Sequence, residues 1–512
     1  MLASSRTDTQ RSAVPVRLGL RARVVRGGVW LLGLQIASRA LTLLATLVLA
    51  RVLAPADFGV LAIGTLAVSL LDTLAPTGLQ AALIQAPDAD RVALDSAWVF
   101  ALVRGALLSA CVWLAAPGIA AFFGSASSAP VLRILGLSFV IQGAANIGMV
   151  HCARVLDFKR IFVWEVGSAA ANAAVAIGLA LVRHDVWALV YGTLAGNVAT
   201  LLLSYALHPF RPRLRIDPAR VRELFRFGRW VASAQMIMFL IGKGDNAFVG
   251  RTQGEVALGI YTMAFAIANL PATEITLMIS RVMFPAFARL REEPQRVREA
   301  YLRNLQVLMF VSAPLAAAIA FFVRDFTLLF LGEKWLPLVP VARVLAVGGL
   351  LRSVSASTGP LFQAIGRPQI VTMLVSVRLL VFAAAIWPAS RAFGLPGVAG
   401  AVVLSAATVD PVALLFAARA TRNRLRDVLR ALAIPLAMTA ATGLVLMSAA
   451  TGLGDAGLLP RLVVLAAAGG VSYVSLAGLA ARRLGYEVPA LLRRVLSELR
   501  PARDGGARPE LA

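Results

Sequence analysis

Charge is scarce in this chain. Only 15% of its 512 residues are Asp, Glu, Lys or Arg, where a soluble protein carries roughly a quarter. Most of the chain therefore does not face water. Cysteine is nearly absent. Two residues, Cys111 and Cys152, both in or beside apolar segments, exclude a disulfide-stapled scaffold and are expected as small buried side chains. Histidine is as rare. His151 and His184 fall in short connections and His208 opens a longer one, so no metal-ligand spacing exists and no metal or bound cofactor is expected. No G-x-x-x-x-G-K-[ST] loop is present, which excludes ATP as a direct energy source. The short alternating strands of an outer-membrane barrel are missing too. The first 26 residues contain six arginines and no apolar core, so no cleaved signal is read there and the first apolar run is itself the anchor.

What is present is hydrophobic sequence. Apolar residues make up 59% and the mean hydropathy is +0.79. Runs of about 20 apolar residues recur along the chain, each able to cross a hydrocarbon layer of roughly 30 Å as a helix. The reading is an all-α integral membrane protein of about fourteen transmembrane helices. Spans are expected at 28–50, 58–84, 93–121, 131–150, 161–182, 186–207, 230–250, 257–285, 304–322, 338–364, 370–388, 395–417, 431–449 and 462–480. The formal charge of +24 would suggest nucleic acid in a soluble protein. Here the basic residues lie between apolar runs, where they report topology. With the N-terminus in the cytoplasm, the inside segments hold 35 Lys and Arg and the outside segments 7, with eight inside spans. One missed or spurious span would scramble that contrast. Both termini are thus expected in the cytoplasm.

The domain plan follows. Residues 1–27 form a basic tail, 28–207 a six-helix bundle, 208–229 a cytoplasmic linker, 230–417 a second six-helix bundle, 418–480 two further spans, and 481–512 a basic tail. In the linker, Asp217-Pro218 reads as a helix start. Val221, Leu224 and Phe225 form one apolar face among arginines, as in an interfacial helix or a solvated linker helix. A 200-residue shift aligns Gly28, Trp30, Gln35, Arg51 and Gly59 with Gly228, Trp230, Gln235, Arg251 and Gly259. Six spans separate the copies, so the halves are expected to be parallel, related by a pseudo-twofold axis along the membrane normal.

Charges at mid-membrane are costly and face a bundle interior or an aqueous cavity. The mid-span charges are Arg39, Asp72, Arg104, Glu274, Arg352 and Arg378. Polar stripes accompany them: Gln35, Ser38, Arg39, Thr42 and Thr46; Gln142 and Asn146; Glu165, Ser168 and Asn172; and Arg352, Ser355, Gly359 and Gln363. Such stripes either glue helices together or line a path. The four arginines against two nearby carboxylates favour a cationic interior suited to an anionic ligand such as a phosphate or sugar acid. Arg39, Arg104, Arg352, Arg378, Gln35 and Lys243 are the candidate substrate-binding residues. Asp72, Asp245, Glu274 and Asp410 are candidates for coupling to an ion gradient, or else counter-ions of neighbouring arginines. Pro271 and Pro411 sit beside two of them and free backbone carbonyls there. Arg133, Arg281 and Arg343, near span ends, are expected to snorkel.

Specific stretches are similar to a known family. Ala50–Gln85 (ARVLAPADFGVLAIGTLAVSLLDTLAPTGLQAALIQ) resembles the first and second helices of polysaccharide flippases of the multidrug/oligosaccharidyl-lipid/polysaccharide exporter superfamily. Gly244–Pro271 (GDNAFVGRTQGEVALGIYTMAFAIANLP) repeats the theme, with Asp245, Gly250, Gly254, Gly259 and Tyr261 on the pattern. FPAFARL (Phe284–Leu290), LGEKW (Leu331–Trp335) and AIGRP (Ala364–Pro368) follow in the family's order. One departure is Ala54, opposite Gly254 in the repeat, where the family favours Gly in both halves. The resemblance implies a transporter, not an enzyme. It would move an undecaprenyl-pyrophosphate-linked oligosaccharide across the bacterial inner membrane for lipopolysaccharide or exopolysaccharide assembly. Alternating access, a proton or sodium gradient, and polymerase and assembly proteins as partners are implied with it.

Other readings have their own marks. A multidrug exporter of the same superfamily would favour an acidic cavity, against the arginines. A polysaccharide polymerase or ligase needs a large outward loop, and outward loops here reach at most about 15 residues. A scaffolding role leaves the buried charges unexplained.

Overall fold

A computed structural model describes residues 33, 37–74, 91–154, 157–215, 218–270, 283–284, 286–290, 292–355, 357–453, 457–484, 486 and 488; for 93, 153–154, 218–234 and 270 it describes the backbone alone. All regular elements among them are helices. Nine are long and apolar enough to cross a membrane. Backbone polar groups have no water to bond in hydrocarbon, so helices are the form these uncharged runs must take. Their outer faces carry bare aliphatic side chains, among them Leu114, Val182, Leu202, Leu380, Leu444 and Val474. The chain is a multi-pass, all-helical membrane protein.

Two of the longest helices are hairpins. Pro368–Ala420 spans 53 residues, about 80 Å if straight. It is broken at Gly394 (φ 61°, ψ −136°), and Arg378 bonds Asp410 across the break. Those residues are 32 apart in sequence, roughly 48 Å along a straight helix, so the arms must run back to back. Pro218–Leu270 is broken likewise at Gly254 (φ 85°, ψ −179°), and Tyr261 folds back to reach Asp245. Both glycines occupy backbone conformations essentially closed to other residues. The breaks fall in the gaps expected between the spans 230–250 and 257–285 and between 370–388 and 395–417. In the first half the turn at Ala54 needs no glycine: its N–H donates to Asp57 Oδ2 (2.9 Å) and its φ is not positive.

The chain divides into two compact units, Met1–Phe239 and Leu240–Ala512. In the first, Arg91–Phe123 packs on Ser128–Gly143 and Phe158–Arg183 on Val186–Leu207. Small residues permit the approach: Gly105 lies against the Phe139 carbonyl and Gly143 against that of Ala101, the device that replaces hydrophobic drive between helices in lipid. Several polar-stripe residues serve as interhelical glue. Gln142 Nε2 donates to Asn197 Oδ1 (3.4 Å), Asn197 to Ser138 (2.9 Å), and Thr200 to Ser168 (2.9 Å). Thr42 and Thr46 turn their hydroxyls onto carbonyls of their own helix. Cys152 is buried, but Cys111 is exposed on the outer face, contrary to expectation; both are free thiols.

After Val186–Leu207 the chain forms an extended strap clamped to the first unit. Asn146 Nδ2 donates to the carbonyls of His208 (3.3 Å) and Phe210 (2.8 Å). Arg211 grips the same two carbonyls, and Arg213 N–H donates to Asp95 Oδ1 (3.0 Å). The next helix starts at Pro218; the apolar face expected over 217–229 lies outside the described side chains.

In the second unit, Leu338–Ser355 packs between Pro294–Phe326 and Pro368–Ala420. Leu425–Gly452 packs on Pro294–Phe326 and on Leu458–Leu484.

Candidate functional site

The polar residues of the second unit gather in one place. Asp245 comes from the arm before Gly254, Tyr261, Phe265 and Asn269 from the arm after it. Arg352 ends Leu338–Ser355, and Arg378 and Asp410 face each other across the Gly394 hairpin. Reversal at the two glycines brings together residues up to 165 positions apart in sequence.

Asp245 is buried, and both of its oxygens are occupied. Oδ1 accepts from Asn246 N–H (2.8 Å) and Oδ2 from the Tyr261 hydroxyl (2.9 Å). Arg352 donates through Nη2 to Asn269 Oδ1, and its guanidinium lies 5.3 Å from the centre of the Phe265 ring. Among the described residues no carboxylate forms an ion pair with it. Arg378 instead donates directly to Asp410 Oδ1 in a largely buried ion pair. Two cavities adjoin these groups. One, of about 280 Å³, is lined by Asp245, Phe265, Asn269, Arg352, Arg378 and Ser405 among others. The second, of about 290 Å³, shares Arg352 and Arg378 and adds Ser355, Thr358, Phe362 and Asp410. The charged lining is thus two guanidinium groups and two carboxylates. A guanidinium held by a neutral amide and an aromatic face keeps its charge and free N–H groups for an anion.

The other sequence candidates fall elsewhere. Arg104 bonds Asp72 at 2.6 Å within the first unit, so a binding candidate and a coupling candidate are partners there. Arg39 is exposed on the first described helix. Lys243 is exposed; its charge acts on Asp245, but it does not line either cavity. Gln35 and Glu274 lie outside the described residues, as does Arg281. Arg133 lies over the Trp113 ring (5.0 Å) and Arg343 donates to the Ala320 carbonyl. The structure adds Asn269, Phe265 and Tyr261 to the site. Asn269 is the signal that was legible, a lone amide two residues before Pro271 in an otherwise apolar run. Among the described residues no group of three or more His, Cys, Asp or Glu could hold a metal.

A family model described as "Polysaccharide biosynthesis protein" matches residues 48–340, more than half of the chain. The chain belongs to the polysaccharide biosynthesis protein family. The match includes Asp245, Tyr261 and Asn269 and stops before Arg352, Arg378 and Asp410. Within this family's reach, the lipopolysaccharide biosynthesis protein WzxC of Escherichia coli K12 is 27% identical over 69% of this chain and 72% of its own. The teichuronic acid biosynthesis protein TuaB of Bacillus subtilis is 26% identical over 72% and 77%. The succinoglycan biosynthesis transport protein ExoT of Rhizobium meliloti is 23% identical over 65% and 67%. Among solved structures, the lipid II flippase MurJ in an inward closed conformation superposes with a TM-score of 0.70 at 13% identity, covering 88% of this chain and 99% of that one. An inward-facing multidrug resistance MATE family transporter, itself described as of the MOP superfamily, gives 0.60 at 19% identity, over 75% and 94%. These likenesses give the fold, and with the family they bear out the resemblance seen in the motifs.

Proposed function

We propose that the protein is a flippase, moving a lipid-linked oligosaccharide, with undecaprenyl pyrophosphate as carrier, from the inner to the outer leaflet of the bacterial inner membrane. It acts as a transporter by alternating access rather than as an enzyme, with both termini in the cytoplasm. Family membership supports the pathway, surface polysaccharide assembly. The names of ExoT, a transport protein, and MurJ, a lipid II flippase, support transport as the step.

The observation that carries the reading is Arg352. A guanidinium inside a membrane protein, facing a cavity and held by Asn269 and Phe265 rather than a carboxylate, offers a planar fork to a phosphate. Asp245 lines the same cavity and receives only neutral donors at its oxygens. It is the carboxylate best placed to exchange a proton or sodium ion with the gradient. Ion uptake there would alter the field on Arg352 across the cavity.

Deleting the gene and locating the glycolipid tests the reading. A flippase loss leaves the glycolipid on the cytoplasmic leaflet. Normal translocation with unpolymerised repeats outside would point to a polymerase and overturn it.

A further inference from the structure

We propose that the 290 Å³ cavity beside Arg352 and Arg378 is a sugar subsite, with Asp410, Ser355 and Thr358 receiving hydroxyls of the sugar that adjoins the carrier's phosphate. The proposal rests on the flippase reading.

The starting point is an unsatisfied acceptor. Asp410 is 2% exposed. Arg378 takes its Oδ1 and fixes the carboxylate, while the buried Oδ2 has no hydrogen-bond partner. Leaving a buried polar group unpaired is costly, and more so for a charged one, so native structures seldom do so without a use for it. The Ser355 hydroxyl lies within hydrogen-bonding reach of the Asp410 carboxylate, though it makes no close bond to it. Rotating that hydroxyl onto Oδ2 would still leave acceptor capacity, because a carboxylate has about four lone-pair sites. Thr358 donates to the Ser355 carbonyl (2.6 Å), which leaves its own oxygen free to accept. Gly359 lines the same void, and a Cβ built there meets nothing within 4 Å.

These groups select the ligand. Two arginines on the wall exclude a metal cation, and the carboxylate disfavours a second anion. An isoprenoid tail offers no donor to the acceptor sites of Oδ2 that Ser355 leaves open. A sugar ring brings hydroxyl donors on its edge and C–H groups on its faces, matching a few polar atoms set among Phe362, Leu374 and Val409. The volume equals that of about ten water molecules, enough for one ring. Position agrees with connectivity. In a glycosyl pyrophosphate the phosphate is bonded directly to the anomeric carbon, and here the two arginines form part of the lining of both cavities.

The test uses the full-length protein in lipid nanodiscs. The probes are undecaprenyl pyrophosphate and its glucosyl, galactosyl and N-acetylglucosaminyl derivatives, with binding read by quenching of tryptophan fluorescence. At least one glycosylated carrier should bind tenfold or more tighter than the bare carrier. That ratio should fall below threefold in Gly359→Leu, which fills the void, and in the near-isosteric Asp410→Asn. Equal affinities for all four probes, or a ratio that survives both substitutions, would overturn the subsite while leaving the flippase reading intact. If the wild type binds none of the four, both fall.

Discussion

At the scale of single residues, hydrogen bonding in a dry interior decides what each charge does. Asp72 and Arg104 annul one another locally, as do Asp410 and Arg378, whereas Arg352 is held by neutral partners. Arg352→Ala is therefore expected to abolish glycan export while the protein still reaches the membrane, and Arg352→Lys to restore only a fraction, because an ammonium lacks the planar fork. Surface polysaccharide yield against membrane-fraction abundance measures both; normal export by Arg352→Ala would reduce the arginine to a packing group. Tyr261→Phe removes one donor from a buried carboxylate, a loss of about 1–3 kcal/mol. It should lower the thermal transition of the detergent-solubilised protein. Asp245→Asn should make transport in proteoliposomes insensitive to the driving proton or sodium gradient; an unchanged ion dependence would remove Asp245 from coupling.

At the scale of elements, two glycines and one strap organise the chain. Gly254 and Gly394 hold conformations that cost other residues of order 1–3 kcal/mol. Gly254→Ala and Gly394→Ala should each lower the thermal transition, whereas Ala54→Gly, at the first-half turn, should change it little. Equal effects at all three positions would contradict the distinction between those turns. The strap after Leu207 predicts a pH response. His208 Nδ1 accepts from the Phe210 N–H (3.2 Å), which requires that nitrogen to be unprotonated. Burial, and then the electrostatic effect of His151, Arg160 and Arg211, pushes the His208 pKa down. A base with a lowered pKa in the docked state stabilises docking above its free pKa of about 6.5 and loses that contribution as pH falls below it. Amides of 208–215, corrected for intrinsic rates, should therefore exchange faster at pH 5.5 than at pH 7.5. His208→Gln should remove the difference, and a pH-independent strap in the wild type would contradict the role given to His208.

At the scale of the whole molecule, the asymmetry of Lys and Arg predicts the side on which each connection lies. With Cys111 and Cys152 replaced by Ser, a cysteine at Arg424 should resist a membrane-impermeant thiol reagent in intact cells, and one at Arg391 should react. The reverse pattern would invert the topology.

The sequence by itself determined the solvent, the secondary structure and much of the segmentation. Uncharged runs of about 20 residues leave helices as the way to satisfy a backbone in lipid, and Val186–Leu207 coincides with the span expected at 186–207. Ordered motifs from Ala50 to Pro368 were enough to carry the family, because they mark turns and helix ends that the fold needs locally. What only the tertiary structure decided was the partner of each buried charge. Arg104, Arg352 and Arg378 read alike in sequence, as single arginines in apolar helices. Their differences arise from residues 32 to 83 positions away, brought into contact by helix packing and hairpin reversal. The field of a charge in a low-dielectric interior depends on such neighbours, and linear spacing does not record them.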